Sequence, residues 1–243
     1  MTTPIIQLEN LSFAFPGRRP VLDGLDLTLN TGDRAGLMAP NGTGKTTLFH
    51  LIMGLIKPSS GTIRVFGKTV CREKNFRYVR RRIGLLFQDS DDQLFSPTVL
   101  EDVAFGPLNL GKSKAEAIAM AESTLASLSL INLKDRITFK LSGGEKRLVA
   151  LATVLAMKPT ALLLDEPVTG LDQDTRHRIE TILTGLDISY IMISHNMEFL
   201  VRLTSKIYSL QAGKITVDDT AALHPHFHLH SHGTHPHEHE TRP

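Results

Sequence analysis

A chain of 243 residues with 41% hydrophobic and 21% charged side chains has room for one α/β domain with a buried core and a helical insertion, whereas two full domains would be cramped. Its formal charge of +2 supplies no strong basic field of the kind nucleic-acid binding needs, which sets that class of partner aside. The longest apolar stretch, Leu148 to Met157, is about half of the ~20 residues of a membrane helix, and MTTPIIQLEN lacks the features of a secretory signal, so a cytosolic chain without a membrane span is expected.

Apolar clusters at residues 5–15 and 25–29, separated by PGRRP, predict two strands joined by a turn and an antiparallel start. Arg34–Met38 reads as a short apolar strand ending in a Gly-rich loop, and Thr46–Met53 then takes on helical spacing. The single Cys71 can form no internal disulfide and reads as a spectator thiol, while Arg80, Arg81 and Arg82 read as a solvated basic edge. Buried strands are predicted at Ile83–Phe87, Leu162–Asp165 and Tyr190–Ser194, with helical stretches between them. This alternation predicts a mostly parallel, helix-covered sheet of the α/β class. Between about 89 and 158 the strand signal fades, while Lys114–Leu128 and Gly144–Ala156 look helical. A helical subdomain inserted into a sheet core of residues 1–88 and 159–220 is the expectation. The remaining residues, 221–243, run into HPHFHLHSHGTHPHEHE, too poor in apolar side chains for a core, and are expected to form a mobile tail.

The segment Ala39, Pro40, Asn41, Gly42, Thr43, Gly44, Lys45, Thr46, Thr47 lies between a strand and a helix, where backbone N–H groups and the helix dipole can hold phosphate. Lys45 is placed to reach the β/γ-phosphates and Thr46 to set its hydroxyl on Mg²⁺. The strict pattern has Gly at position 39, and Ala is expected to be tolerated because it lacks only the freedom to adopt positive φ. Asp165 and Glu166 follow four apolar residues at the carboxyl end of a predicted strand, where open α/β sheets carry their ligand sites. Asp165 suits Mg²⁺ or its waters, and Glu166 suits the group that orients and polarises an attacking water. In Leu141, Ser142, Gly143, Gly144, Glu145, a serine and two glycines open a long helix and offer a second anion-binding helix start.

Together with Gln88 after a strand, Gly170-Leu171-Asp172, and Ser194-His195 after the last core strand, these motifs in this order resemble the ABC ATPase family over residues 5 to about 217. The resemblance implies a P-loop NTPase core of RecA-like type with an antiparallel β edge, binding ATP and Mg²⁺. It implies that the signature of one subunit faces the P-loop of another, sandwiching two ATP molecules at a dimer interface, with a homodimer favoured over pairing with a paralogue. In that arrangement Gln88 would contact Mg²⁺ and the lytic water, His195 the γ-phosphate, and Asp172 would link the two sites. Phe15 matches the position where the family stacks an aromatic on adenine. Glu145 departs from the commoner glutamine of the signature and leaves its backbone donors unaltered.

The phrases FQDSDDQLFSPTV, EDVAFGPLNLG and LSGGEKRLVALATVLAM look like the ATPases of energy-coupling factor transporters, which import vitamins or cobalt and nickel ions. That resemblance implies a peripheral position on the cytoplasmic face of the inner membrane, with an integral membrane coupling subunit and a metal-binding membrane component as partners. The segment after Gln88, with its acids and with Leu94 and Phe95 expected to be exposed, would dock on the membrane partner. His224, His226, His228, His230, His232, His235, His237 and His239 could gather around Ni²⁺ or Co²⁺, since neutral imidazoles suit such ions. The tail tilts the reading toward a transition metal. Competing readings are a vitamin importer, a soluble ABC ATPase of DNA repair or translation, and a metal-storage protein with a regulatory ATPase.

Overall fold

The computed structural model describes residues 3–40 and 43–217. Strands β1 (Pro4–Ala14) and β2 (Pro20–Asn30) pair antiparallel, with Leu8 opposite Leu27 and Leu11 opposite Leu25, so their alternating apolar residues share one buried face. β4 (Ser60–Val65) and the short β5 (Lys68–Thr69) extend this into a four-stranded antiparallel sheet of order β2-β1-β4-β5.

The second sheet has the order β10-β9-β3-β8-β7-β6. Its strands are β3 (Arg34–Met38), β6 (Ile83–Leu86), β7 (Ala161–Asp165), β8 (Ser189–Ile193), β9 (Lys206–Gln211) and β10 (Lys214–Val217). All neighbours pair parallel except β9 and β10. Parallel strands covered on both faces read as continuous apolar runs, and β7 is of this kind. Ala161 and Leu163 face the core toward the antiparallel sheet, while Leu162 and Leu164 face the core under the helices.

Helix α1 (Lys45–Met53) follows β3 and buries Leu48, Phe49, Leu51 and Ile52 between the sheets. Gly44 caps it at φ 96°, and a Cβ there would lie 2.3 Å from Cγ1 of Val21 on β2, so both backbone conformation and space require glycine. α2 (Glu73–Arg80) precedes β6. Its basic end is not simply solvated: Arg80 donates to the Met53 carbonyl and to Glu73, and Arg82 sits over the Tyr78 ring.

Three α-helices lie between β6 and β7: α3 (Val99–Asn109), α4 (Lys114–Ser127) and α5 (Gly143–Leu155). Each opens on a reciprocal cap in which a Ser or Thr side chain accepts from the third helical N–H while a Glu reaches back: Thr98 with Glu101, Ser113 with Glu116, Ser142 with Glu145. α3 adds a helix to the two expected in this subdomain, with Pro107 buried inside its last turn. α6 (Gln173–Gly185) and α7 (Met197–Leu203) complete the helical face.

One expectation is overturned by packing. Leu94 is only 8% exposed and joins the helical core, whereas its neighbour Phe95 is 66% exposed. Leu94→Asp should therefore destabilise the protein by about 3 kcal/mol or more through an unpaired buried charge, while Phe95→Asp stays within about 0.5 kcal/mol of the parent. Parallel thermal and urea unfolding of the two variants checks this.

Candidate active site

Four loops leave the carboxyl ends of adjacent parallel strands β3, β8, β7 and β6, carrying in turn the P-loop, His195, Asp165 with Glu166, and Gln88. Ala39 is buried directly after β3 and is not among the residues with positive φ, so the missing glycine imposes no backbone strain. Pro40 accepts a hydrogen bond from the Thr43 hydroxyl at 2.8 Å. Asn41 and Gly42 lie outside the described residues. The loop ends at Gly44, and the first turn of α1 presents Lys45, Thr46 and Thr47.

Lys45 is 8% exposed and its Nζ lies 3.1 Å from Glu166 Oε1. The Thr46 hydroxyl donates to Asp165 Oδ2 at 2.7 Å. The other Glu166 oxygen, Oε2, takes the Thr169 hydroxyl at 2.8 Å and lies 2.9 Å from His195 Nδ1. Glu166 itself adopts φ 45°, in the left-handed region, on a turn whose N–H is held by the Ile193 carbonyl at 3.0 Å. A non-glycine residue at that φ is strained, and strain of this kind collects where side chains must be aimed.

The two neighbouring carboxyls are driven apart. For Asp165, burial is the leading cause and raises its pKa, reinforced by the Glu166 charge and opposed by the Thr46 hydrogen bond and the charges of Lys45 and Arg147. For Glu166, burial also pushes upward, but hydrogen bonds from Thr169, His195 and Lys45, with the Lys45 charge, outweigh it and leave the group below its ordinary value. Glu166 is thus kept as an anion between the Lys45 ammonium, the Thr169 hydroxyl and the His195 ring. Asp165 Oδ1 is buried and has no hydrogen-bond partner among the described residues. An unpartnered carboxylate oxygen beside a threonine hydroxyl is the hard donor set that Mg²⁺ selects.

Gln88 is exposed and borders a cavity of about 810 Å³ together with Thr46, Gly143, Thr169 and Gly170. A second cavity of about 650 Å³ runs from Phe15 to Lys45, Thr46, Thr47 and Gln88. Phe15 is 42% exposed and rests edge-on against Phe13, with ring centres 4.9 Å apart, leaving a free aromatic face beside the P-loop helix.

The signature residues form a separate group. Ser142 and Gly143 are exposed at the start of α5, and Glu145 turns back to accept the Ser142 N–H at 2.8 Å while pairing with Arg136 at 3.2 Å. A Cβ on Gly144 would lie 2.6 Å from the Thr175 hydroxyl, which itself donates to Asp172 at 2.8 Å. The signature therefore packs against the start of α6 in its own chain, and among the described residues it makes no hydrogen bond to the P-loop. The eight tail histidines, His224 to His239, lie outside the described residues. Sequence reasoning missed Thr169 and Arg147. Thr169 could have been suspected from its place three residues after Glu166, and Arg147 from being the charge that opens the apolar run of α5.

The sequence pattern of the ABC transporter family matches residues 22–169, which includes the P-loop, the signature and the Asp165-Glu166 pair. The chain belongs to the ABC transporter family. It is 43% identical over 90% of its length to the cobalt import ATP-binding protein CbiO of Rhodobacter capsulatus, covering 80% of that protein. It is 39% identical over 89% of its length to the energy-coupling factor transporter ATP-binding protein EcfA of Methanothermobacter thermautotrophicus, covering 71% of it. Among solved structures, CbiO1 of Clostridium perfringens, part of the ABC transporter complex cbiONQ, superposes with a TM-score of 0.79 at 32% identity, covering 88% of this chain and 87% of that one. A dimeric bacterial ABC transporter cassette superposes with a TM-score of 0.78 at 26% identity, covering 86% and 96%. As a member of this family the chain is an ATPase, with ATP as substrate and Mg²⁺ as cofactor. Thr46 and Asp165 are the side chains suited to hold the ion, which supplies charge neutralisation on the phosphates when bound. Among the described residues, no helix is long and apolar enough to cross a membrane.

Glu166→Gln keeps the shape of the side chain and removes its charge. It should lower ATP turnover by roughly 10²- to 10⁴-fold while nucleotide affinity stays near the parent value. Phosphate release and fluorescent-nucleotide titration on one preparation distinguish this from simple loss of binding.

Proposed function

We propose that this chain is the ATP-hydrolysing subunit of an energy-coupling factor importer and powers uptake of a divalent transition metal ion, cobalt or nickel. The observation that carries the ATP-hydrolysing part of this reading is the cluster at the end of β7, in which Lys45, Thr169 and His195 converge on Glu166 while Thr46 holds Asp165. Lys45 moves its charge to the β/γ-phosphates of bound ATP, and Glu166 orients the attacking water. His195 contacts the γ-phosphate, Gln88 reaches the ion and the water, and Phe15 stacks on adenine. The exposed signature, Ser142 to Glu145, closes over nucleotide held by a second copy of the chain, and Asp172 links the two sites. The dimeric form of the related cassette supports this arrangement.

The chain divides, in this reading, into an ATPase domain of residues 1–220, whose helical subdomain spans about 89–158, and a tail of residues 221–243. Phe95 and Phe105 stand exposed in an edge-to-face pair with centres 4.7 Å apart, above a groove of about 350 Å³ that also holds Asp102. Exposed aromatic pairs over a groove suit a protein interface, and the membrane coupling subunit is the proposed occupant. The ATPase then sits peripherally on the cytoplasmic face of the membrane. Identity to a cobalt import ATPase and the eight tail histidines favour a metal cargo over a vitamin.

Reconstitution with its membrane partners should give ATP-driven uptake of radiolabelled Co²⁺ or Ni²⁺ and not of a vitamin panel, and Phe95→Asp should abolish uptake while basal hydrolysis persists. Vitamin uptake, or no membrane partner on copurification, overturns the cargo or the transport reading respectively. Truncation after residue 223 should leave hydrolysis intact but sharply reduce calorimetric Ni²⁺ and Co²⁺ binding. In the full chain that binding should fall as pH drops through about 6.5, where protons compete for the imidazole lone pairs. Equal binding by both forms removes the tail from metal handling.

A further inference from the structure

Arg147 lies one turn inside α5, with 3% of its surface exposed. A guanidinium has five N–H donors in a rigid plane, and here all five are directed at main-chain carbonyls. Nε donates to Pro167 at 2.8 Å. One terminal nitrogen donates to Phe87 and, at 3.1 Å, to Gln88. The other donates to Asp165 at 2.8 Å and to Glu166 at 2.9 Å. The acceptors belong to two loops distant in sequence: the one leaving β6 with Gln88 and the one leaving β7 with the water-orienting carboxylate. Burial drives the guanidinium pKa down to about 10, against the opposing charges of Asp165, Asp89 and Glu166, so the group remains a cation at neutral pH.

We propose that Arg147 is a positioning residue that fixes the Gln88 and Glu166 loops to the signature helix, so that the hydrolytic geometry of a subunit depends on where its own α5 sits. The inference rests on the reading above in which the start of α5 engages nucleotide held by the partner subunit. The same rigid helix carries Ser142 and Gly143 at its exposed end and Arg147 about one turn further on, in its buried part. Movement of the signature as it closes on the partner's ATP is therefore transmitted through three hydrogen bonds to the backbone that aims Glu166 and through two to the Gln88 loop. The strained φ of 45° at Glu166 needs such an external hold, because a free turn would relax out of it. Each of the two composite sites would thereby report its occupancy to the other.

The chemistry of the fork sets the test. Lysine keeps the charge but offers three donors from a single point, which cannot span two loops. Arg147→Lys should retain nucleotide affinity within about threefold and lose turnover by about 100-fold, the penalty of a small misplacement of reacting groups. The Hill coefficient of hydrolysis for ATP should fall toward 1. Arg147→Met, which removes the charge as well, should show the same split. Turnover rescued by lysine, or affinity and turnover falling together with thermal stability, overturns the proposal, as does failure of both variants to fold, which would make Arg147 a core anchor. ATP-driven dimerisation of Glu166→Gln carrying wild-type Arg147, measured by light scattering, separately tests the sandwich. A monomer there sinks the dimer reading, whereas a dimer combined with unimpaired turnover in Arg147→Lys sinks only the positioning role.

Discussion

Holding Asp165 and Glu166 almost out of water at the end of an apolar strand carries a desolvation penalty that has to be offset locally, and the surrounding structure is organised by that need. The partners come from three separate elements. Lys45 and Thr46 are supplied by the first turn of α1, His195 by the loop after β8, and Thr169 by the turn that follows Glu166 itself. The parallel sheet makes this convergence geometrically available, since adjacent strands β3, β8, β7 and β6 end side by side. Without the buried carboxylates there would be no reason for a lysine to be 92% hidden at a helix start or for a glutamate to sit at positive φ.

The helical face adds a second level of organisation. α5 packs its apolar side chains under the sheet while its exposed end presents the signature, and Arg147 joins the two functions within one helix. Glu145 serves the local start of that helix through Ser142 and is neutralised in part by Arg136. Exchange of the commoner glutamine for glutamate thus leaves the backbone donors of the helix start in place, as a reciprocal cap predicts.

Much of this was legible in the sequence where one physical cause dominates. β3, β7 and β8 are continuous apolar runs because both sheet faces are covered, and each ends in a chemically distinctive loop. The candidate site residues were drawn from motif order and family resemblance. Their pairing did not: nothing in the local pattern places Lys45 on one oxygen of Glu166 and His195 on the other, since those contacts are set by strand order. α3 was not among the helical stretches read from the sequence, although Thr98 and Glu101 form the reciprocal cap that starts it. Leu94 was misjudged because flanking acids suggest exposure, while a single turn of chain suffices to point one side chain inward and its neighbour Phe95 outward. Arg147 was the hardest to read, for a charge in a sequence announces neither its burial nor its acceptors.

The close approach of Gly44 to Val21 extends the phosphate loop's constraint to a residue on another sheet. A side chain on β2, itself part of no sequence motif, occupies the space that a side chain at position 44 would need. Its own size is limited by the same gap, while position 44 is held to glycine by its φ of 96° as well. Transplanting a P-loop and its helix from a relative into this scaffold would accordingly succeed or fail on the β2 residue that travels with it.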